Sequence, residues 1–246
     1  DDRVTGCPFS SGSVKSGAGS PICSVMGGRT IGGSVTALWM QESRSEPSDD
    51  PSGLTAEEKA WAESLPQRRA IHFRRSRLWM RSCLASLHGC SAREVPLTAP
   101  PGVPPFLAPG WGYISLSHCV DACLLAWSLQ PVGVDLERAD RAFAADALMR
   151  RFFTCAERSD LVAFQGERLR REVLDRWLIK ESAIKWQRGT LASDLRFWDV
   201  SACLGWARHG ELAVEIAAEL RSQGDWRMAI AVSDKQSLRD CRLCLA

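Results

Sequence analysis

The sequence predicts an α+β fold of two similar halves, each a small antiparallel sheet packed with a long helix. Three observations predict it. Strand-like apolar runs and long helical patterns follow one another in the same loose order twice. The run ACLLAWS (122–128) closes the first series as MAIAVS (228–233) closes the second. The 246 residues, 45% hydrophobic and 24% charged, are enough for one domain of moderate size or two smaller ones packed together. A chance likeness of short apolar strands is the competing explanation of the repeat.

Taken in order, residues 1–34 are rich in glycine and serine, as in SSGSVKSGAGS, and read as a disordered leader. The first half, 35–130, begins with the strand VTALWMQ and a polar loop, ESRSEPSDDPSG. A basic helix then runs through QRRAIHFRRSRLWMRSCLASLHG. Phe73, Arg77, Met80, Leu84 and Leu87 recur there at three- and four-residue steps, and Gly89 supplies the stop. The proline-rich TAPPGVPPFLAPG can be neither helix nor central strand. The strands GYISLSH and ACLLAWS follow. The second half, 131–246, opens with PVGVDLE as a strand. Thr154 and Glu157 have capping-box spacing at a helix start, and a long helix covers about 167–187. LRFWDVSA, ELAVEIAAE and WRMAIAVS read as the closing strands. The seam near residue 130 is the natural place for a ligand cleft.

Bulk properties exclude several classes. A formal charge of +2 gives no global reason to expect nucleic acid. Ten cysteines are scattered through apolar stretches, where a free thiol acts as a small hydrophobe. The one CxxC, Cys241 to Cys244, lacks a second pair, so zinc is not expected. No apolar run approaches the roughly 20 residues that cross a bilayer. The start has no charged-then-apolar signal pattern. The expectation is a reduced, cytoplasmic protein.

Four groups of residues could carry chemistry. Asp135 and Glu137 alternate on one strand, so both point to one face, where they repel unless a cation satisfies them. A solvated strand end is the plainer reading. In WLIKESAIKW (177–186), Trp177, Glu181 and Lys185 stack at successive i+4 steps. Spacing alone makes that an ordinary surface ion pair, but a tryptophan on the same stripe argues for partial burial. With Asp135 and Glu137, Glu181 would complete an oxygen-rich set suited to Mg²⁺. Six arginines (Arg68, Arg69, Arg74, Arg75, Arg77, Arg81) fall within fourteen residues, and no acid lies between Glu63 and Glu94. They suit phosphate, a solvated basic face or RNA. Ser117 and His118 add a hydroxyl and an imidazole at a strand end; a satisfied structural histidine is the commoner outcome.

SLSHC (115–119), GVDLE (133–137), FFTCAE (152–157) and WLIKESAIK (177–185) occur in that order. Together they resemble the motifs of the 4'-phosphopantetheinyl transferases, specifically the larger, surfactin-type enzymes with two pseudo-equivalent halves. The family pattern is a Ser-His pair, a G-[IV]-D-x-E strand, an F-[ST]-x-x-E helix start and W-x-x-K-E-[AS]-x-x-K. The likeness spans about residues 50 to 233. It implies the corresponding α+β fold with an active site at the seam, and transfer of 4'-phosphopantetheine from coenzyme A to a serine of an acyl or peptidyl carrier protein. The product released would be 3',5'-ADP. By position, Asp135, Glu137 and Glu181 would hold Mg²⁺, with Glu181 and Lys185 catalytic. Lys185 and Lys180 would contact phosphate, as would Ser117 and His118. Arg75 or Arg77 would meet the nucleotide's 3'-phosphate. The resemblance further implies an acidic, helical carrier as partner, which Arg150, Arg151, Arg168, Arg170 and Arg171 could steer; two halves in one chain suit a monomer. Two positions depart from the pattern: Cys119 stands for a serine, and Val103, in Gly102-Val103-Pro104, for a nucleotide-contacting lysine. A catalytically silent carrier- or nucleotide-binding protein of the same fold, or another Mg²⁺-dependent phosphotransferase or phosphohydrolase, are the alternatives.

Overall fold

The computed structural model describes residues 36–42, 51–201, 203–239 and 241–245. The expected leader, 1–34, lies outside them, as does most of the polar loop after the first strand. The elements in chain order are β1 (Thr36–Glu42), α1 (Ala56–Glu63), α2 (Gln67–His88), β2 (Leu97–Thr98), β3 (Phe106–Leu107), β4 (Tyr113–His118) and β5 (Ala122–Ser128). Then come β6 (Val132–Arg138), α3 (Ala145–Phe152), α4 (Cys155–Leu161), α5 (Gly166–Gln187) and α6 (Leu191–Asp194). The chain continues through β7 (Trp198–Asp199), β8 (Trp206–His209), β9 (Val214–Gln223), β10 (Trp226–Val232), α7 (Lys235–Arg239) and β11 (Arg242–Leu245).

Among the described residues, one sheet has the order β11-β1-β5-β4 and a second the order β6-β10-β9-β8-β7, while β2 and β3 form a separate pair. Pairing is antiparallel except between β1 and β11. That last strand is the feature a division at residue 130 leaves out: it comes after the second sheet in sequence and joins the first in space.

Alternation along the strands explains the layering. In β5, Leu125 and Trp127 face α2, packing with Trp79, Met80 and Leu84. In β10, Ala229 and Ala231 face α5, packing with Leu178, Ile179 and Ala183. The alternate residues, Leu124 and Ala126 of one sheet and Met228, Ile230 and Val232 of the other, share a core with Val134 and Leu136. Each helix therefore covers the outer face of its sheet, and the inner faces meet. Gly89 ends α2 with a left-handed φ of 64°, as its position in the sequence predicts. The expected box at Thr154 and Glu157 is formed, and an unpredicted twin occurs at Thr55 and Glu58 before α1. LRFWDVSA yields only the two-residue β7, and WARH, with no clean apolar alternation, becomes β8. Among the described residues no helix is long and apolar enough to cross a membrane.

Between the sheets, β4 lies beside β6. Ser115 Oγ accepts the Val134 N–H at 3.1 Å and Ser117 Oγ accepts the Leu136 N–H at 3.2 Å. Side-chain hydroxyls thus stand in for ladder carbonyls, satisfying the edge of β6 while leaving room beside it.

Candidate functional site

Three residues of β6 share the face toward α5: Gly133, Asp135 and Glu137. A Cβ at Gly133 would lie 1.8 Å from the Ser182 carbonyl oxygen and 2.5 Å from the Trp186 nitrogen. The absent side chain lets helix and strand backbones approach, and that approach lowers Glu181 and Lys185 onto the strand's carboxylates.

Lys185 Nζ donates to Asp135 Oδ1 at 2.6 Å and to Ser117 Oγ at 3.0 Å. Ser117 donates its own proton to Asp135 Oδ1 at 2.6 Å. The other oxygen, Asp135 Oδ2, is buried without a partner among the described residues, an orphan that costs free energy until something cationic or donating reaches it. Glu137 is contacted by Arg141; burial pushes its carboxyl up, partly countered by that guanidinium. Glu181 is pushed up to about 8, first by burial and then by the Asp135 charge, with Lys185 opposing. Three mutually repelling carboxylates with one unpaired oxygen fit a hard divalent cation such as Mg²⁺. Among the described residues, no three His, Cys, Asp or Glu side chains yet stand close enough together to hold one. Lys185 and Arg141 serve Asp135 and Glu137 as internal counter-ions instead.

A cleft of about 510 Å³ adjoins this cluster on the α2 side, lined by Arg69, His72, Phe73, Ser76, Arg77, Gly102 and His118 among others. Arg77, 8% exposed, directs Nε to the Ala99 carbonyl at 2.8 Å, Nη2 to that of Pro100 at 3.4 Å and Nη1 to Ser76 Oγ at 2.9 Å. Burial lowers it to about 10. Its donors hold the loop that carries Gly102, so it shapes the cleft while largely committed to protein. Arg75 is exposed and outside the lining. Arg69 and His72, one turn apart and both exposed, line the cleft instead. The sequence reading counted Arg69 among six candidate arginines without preferring it and missed His72, although Arg69, His72, Phe73 and Ser76 form one helical stripe that would have separated them from Arg75.

His118 stands at the mouth of the cleft; desolvation and then the Lys185 ammonium pull its imidazole below the usual value. Cys119 also lines the cleft, with its thiol directed to Asp121 at 3.5 Å and the Ala122 carbonyl at 3.7 Å, inside its own hairpin. Val103 is half exposed and outside the lining. Lys180 is a correction to the sequence expectation. It is fully buried, pairs with Glu157 at 2.7 Å and sits 4.9 Å from the Phe153 ring centroid. One residue from Glu181 is about 100° of helix rotation, which turns it into the core. Of the five arginines considered for steering, Arg170 is engaged by Glu167 and by the carbonyls of Ala139 and Arg141. Arg150, Arg151, Arg168 and Arg171 are exposed.

No curated protein matches the chain. Residues 131–231, the span bearing Asp135, Glu137, Glu181 and Lys185, match the family model of the 4'-phosphopantetheinyl transferase superfamily.

Proposed function

We propose that the protein transfers 4'-phosphopantetheine from coenzyme A to a serine of an apo-carrier protein and releases 3',5'-ADP. The observation that carries this reading is the convergence of Asp135, Glu181, Lys185 and Ser117 beside an arginine- and histidine-lined cleft. In the reaction, the serine oxygen forms a bond to the β-phosphorus of coenzyme A, and the bond from that phosphorus to the 3',5'-ADP oxygen breaks. Asp135, Glu137 and Glu181 would hold Mg²⁺, which when bound supplies charge neutralisation on the pyrophosphate. Glu181 takes the serine proton, directly or through water. Lys185, tethered by Asp135 and Ser117, presents its ammonium to the phosphate oxygens. His118, Arg69 and His72 contact the nucleotide end, and Arg77 positions the Ala99–Gly102 loop against it. In this reading Arg69 and His72 take the role first sought in Arg75 or Arg77.

A strand, a capped short helix, a 22-residue helix and four strands follow one another in both parts of the chain, with α3 and α6 added in the second. This order supports two pseudo-equivalent halves of the surfactin type with the active site at their seam. Coenzyme A, Mg²⁺, an apo-carrier and the purified protein are incubated together and the carrier is weighed. A gain of one phosphopantetheine is expected; an unchanged carrier across several acyl and peptidyl targets would overturn the transferase reading. Coenzyme A breakdown without any carrier would instead identify a phosphohydrolase.

A further inference from the structure

A second cavity, of about 450 Å³, opens at the start of β4, lined by Phe106, Tyr113, Ile114 and Leu129 with Arg188 at its edge. Tyr113 precedes Ser117 by four residues, about 13 Å along a strand, so this hollow is separate from the carboxylate cluster. Its volume is that of a small-molecule site. Among the described residues of the lining, Arg188 is the single charged one and no acid occurs. Two aromatic rings, Phe106 at 41% and Tyr113 at 44% exposure, stand uncovered around a concave surface rather than on a convex one.

The backbone at the cavity's edge is held in a disfavoured form. Arg188 caps α5 with a left-handed φ of 61°, a conformation in which glycine is the usual residue. This cap holds the guanidinium 6.0 Å from the Phe106 ring centroid. No hydrogen bond or ion pair engages that guanidinium among the described residues. An apolar hollow with an unpaired guanidinium at one end is complementary to a ligand of the same two-part character.

We propose that this cavity binds an amphipathic anion, an acyl chain lying between Phe106, Tyr113 and Leu129 with its terminal carboxylate on Arg188. The proposal stands independently of the transferase reading, because none of these residues belongs to the carboxylate cluster or the nucleotide cleft. Calorimetric titration of the full chain with decanoate and with decanol tests it. Decanoate should bind saturably, one per chain, and about tenfold more tightly than the neutral alcohol, as one charge-assisted contact gives. Arg188→Gly removes the cation while relieving the left-handed cap, so it keeps its melting temperature and reduces decanoate to the affinity of decanol. Phe106→Ser should weaken both probes together. Absence of saturable binding, equal affinity for the two probes in the unaltered protein, or undiminished decanoate affinity in the folded Arg188→Gly protein would each overturn the proposal.

Discussion

Helices α2 and α5 carry the same internal device and differ in the side chains just beyond it. In the first, Glu58 of the Thr55 capping box holds Arg81, 23 residues on, with both side chains 1% exposed. In the second, Glu157 of the Thr154 box holds Lys180, again 23 residues on, with both fully buried. Each pair fastens a short helix to a long one. Arg81 also reaches the carbonyls of Ala92, Val95 and Leu97, using the wider guanidinium fork to pin a loop. One and five residues later, α2 has the exposed Ser82 and Ser86, where α5 has Glu181 and Lys185. Strand β1, aligned by its pairing to β5 as β6 is to β10, has Trp39 and Gln41 where β6 has Asp135 and Glu137. The buried fastening pair occurs in both regions and the ionisable cluster belongs to one. Stability and chemistry can therefore be varied separately.

The buried pairs should give the largest effect. Lys180→Ala and Arg81→Ala each leave a buried carboxylate uncompensated, and each should lose about 3–5 kcal/mol in urea unfolding. A small loss in one but not the other would break the parallel. Next, Glu181→Gln and Lys185→Ala should each lower carrier modification at least about tenfold, Lys185→Ala with some loss of stability because it takes the cation from the buried Asp135, while Ser82→Ala and Ser86→Ala leave modification unaltered. Near-normal turnover in either of the first two would remove that residue from the catalytic set.

The third prediction concerns pH. The Glu181 carboxyl moves from an ordinary 4.5 up to about 8 in the folded protein, so the folded state holds its proton more tightly than the unfolded state does. Stability of the cation-free protein should then fall as pH rises from about 4.5 through about 8. Glu181→Gln should flatten that decline relative to the unaltered protein, and parallel profiles for the two would count against a strongly raised carboxyl. The smallest effect separates two arginines of one helix. Arg69→Ala should raise the KM for coenzyme A about tenfold, as loss of one charge-assisted contact does, and Arg75→Ala should change it less than about twofold. The reverse ranking would move the nucleotide contact to the outer side of α2.

Much of the molecule is legible in its sequence because it is periodic. Alternation puts Asp135 and Glu137 on one face, the i+4 step stacks Glu181 over Lys185, and Gly89 and Thr154 mark helix ends. The fate of Lys180 is not legible from its motif alone, since a lysine beside Glu181 reads as a ligand contact until helix rotation buries it. Arg77 escapes for the opposite reason. Its guanidinium goes to backbone carbonyls 22 and 23 residues away, and no local pattern announces a partner that distant. Strand β8 is hidden because the buried positions of WARH are Ala207 and a histidine, His209, that packs edge-on to Trp198, while its tryptophan lies on the less buried face.

Strand β11 adds parallel to β1, with Ala37 opposite Arg242 and Met40 opposite Leu245. A chain cut between residues 130 and 131 would therefore yield an unequal pair. The front piece would have a bare sheet margin, and the rear piece would carry the strand that covers it. Expressed together, two such pieces should find each other and restore one molecule, and deletion of 241–245 should weaken that reassociation.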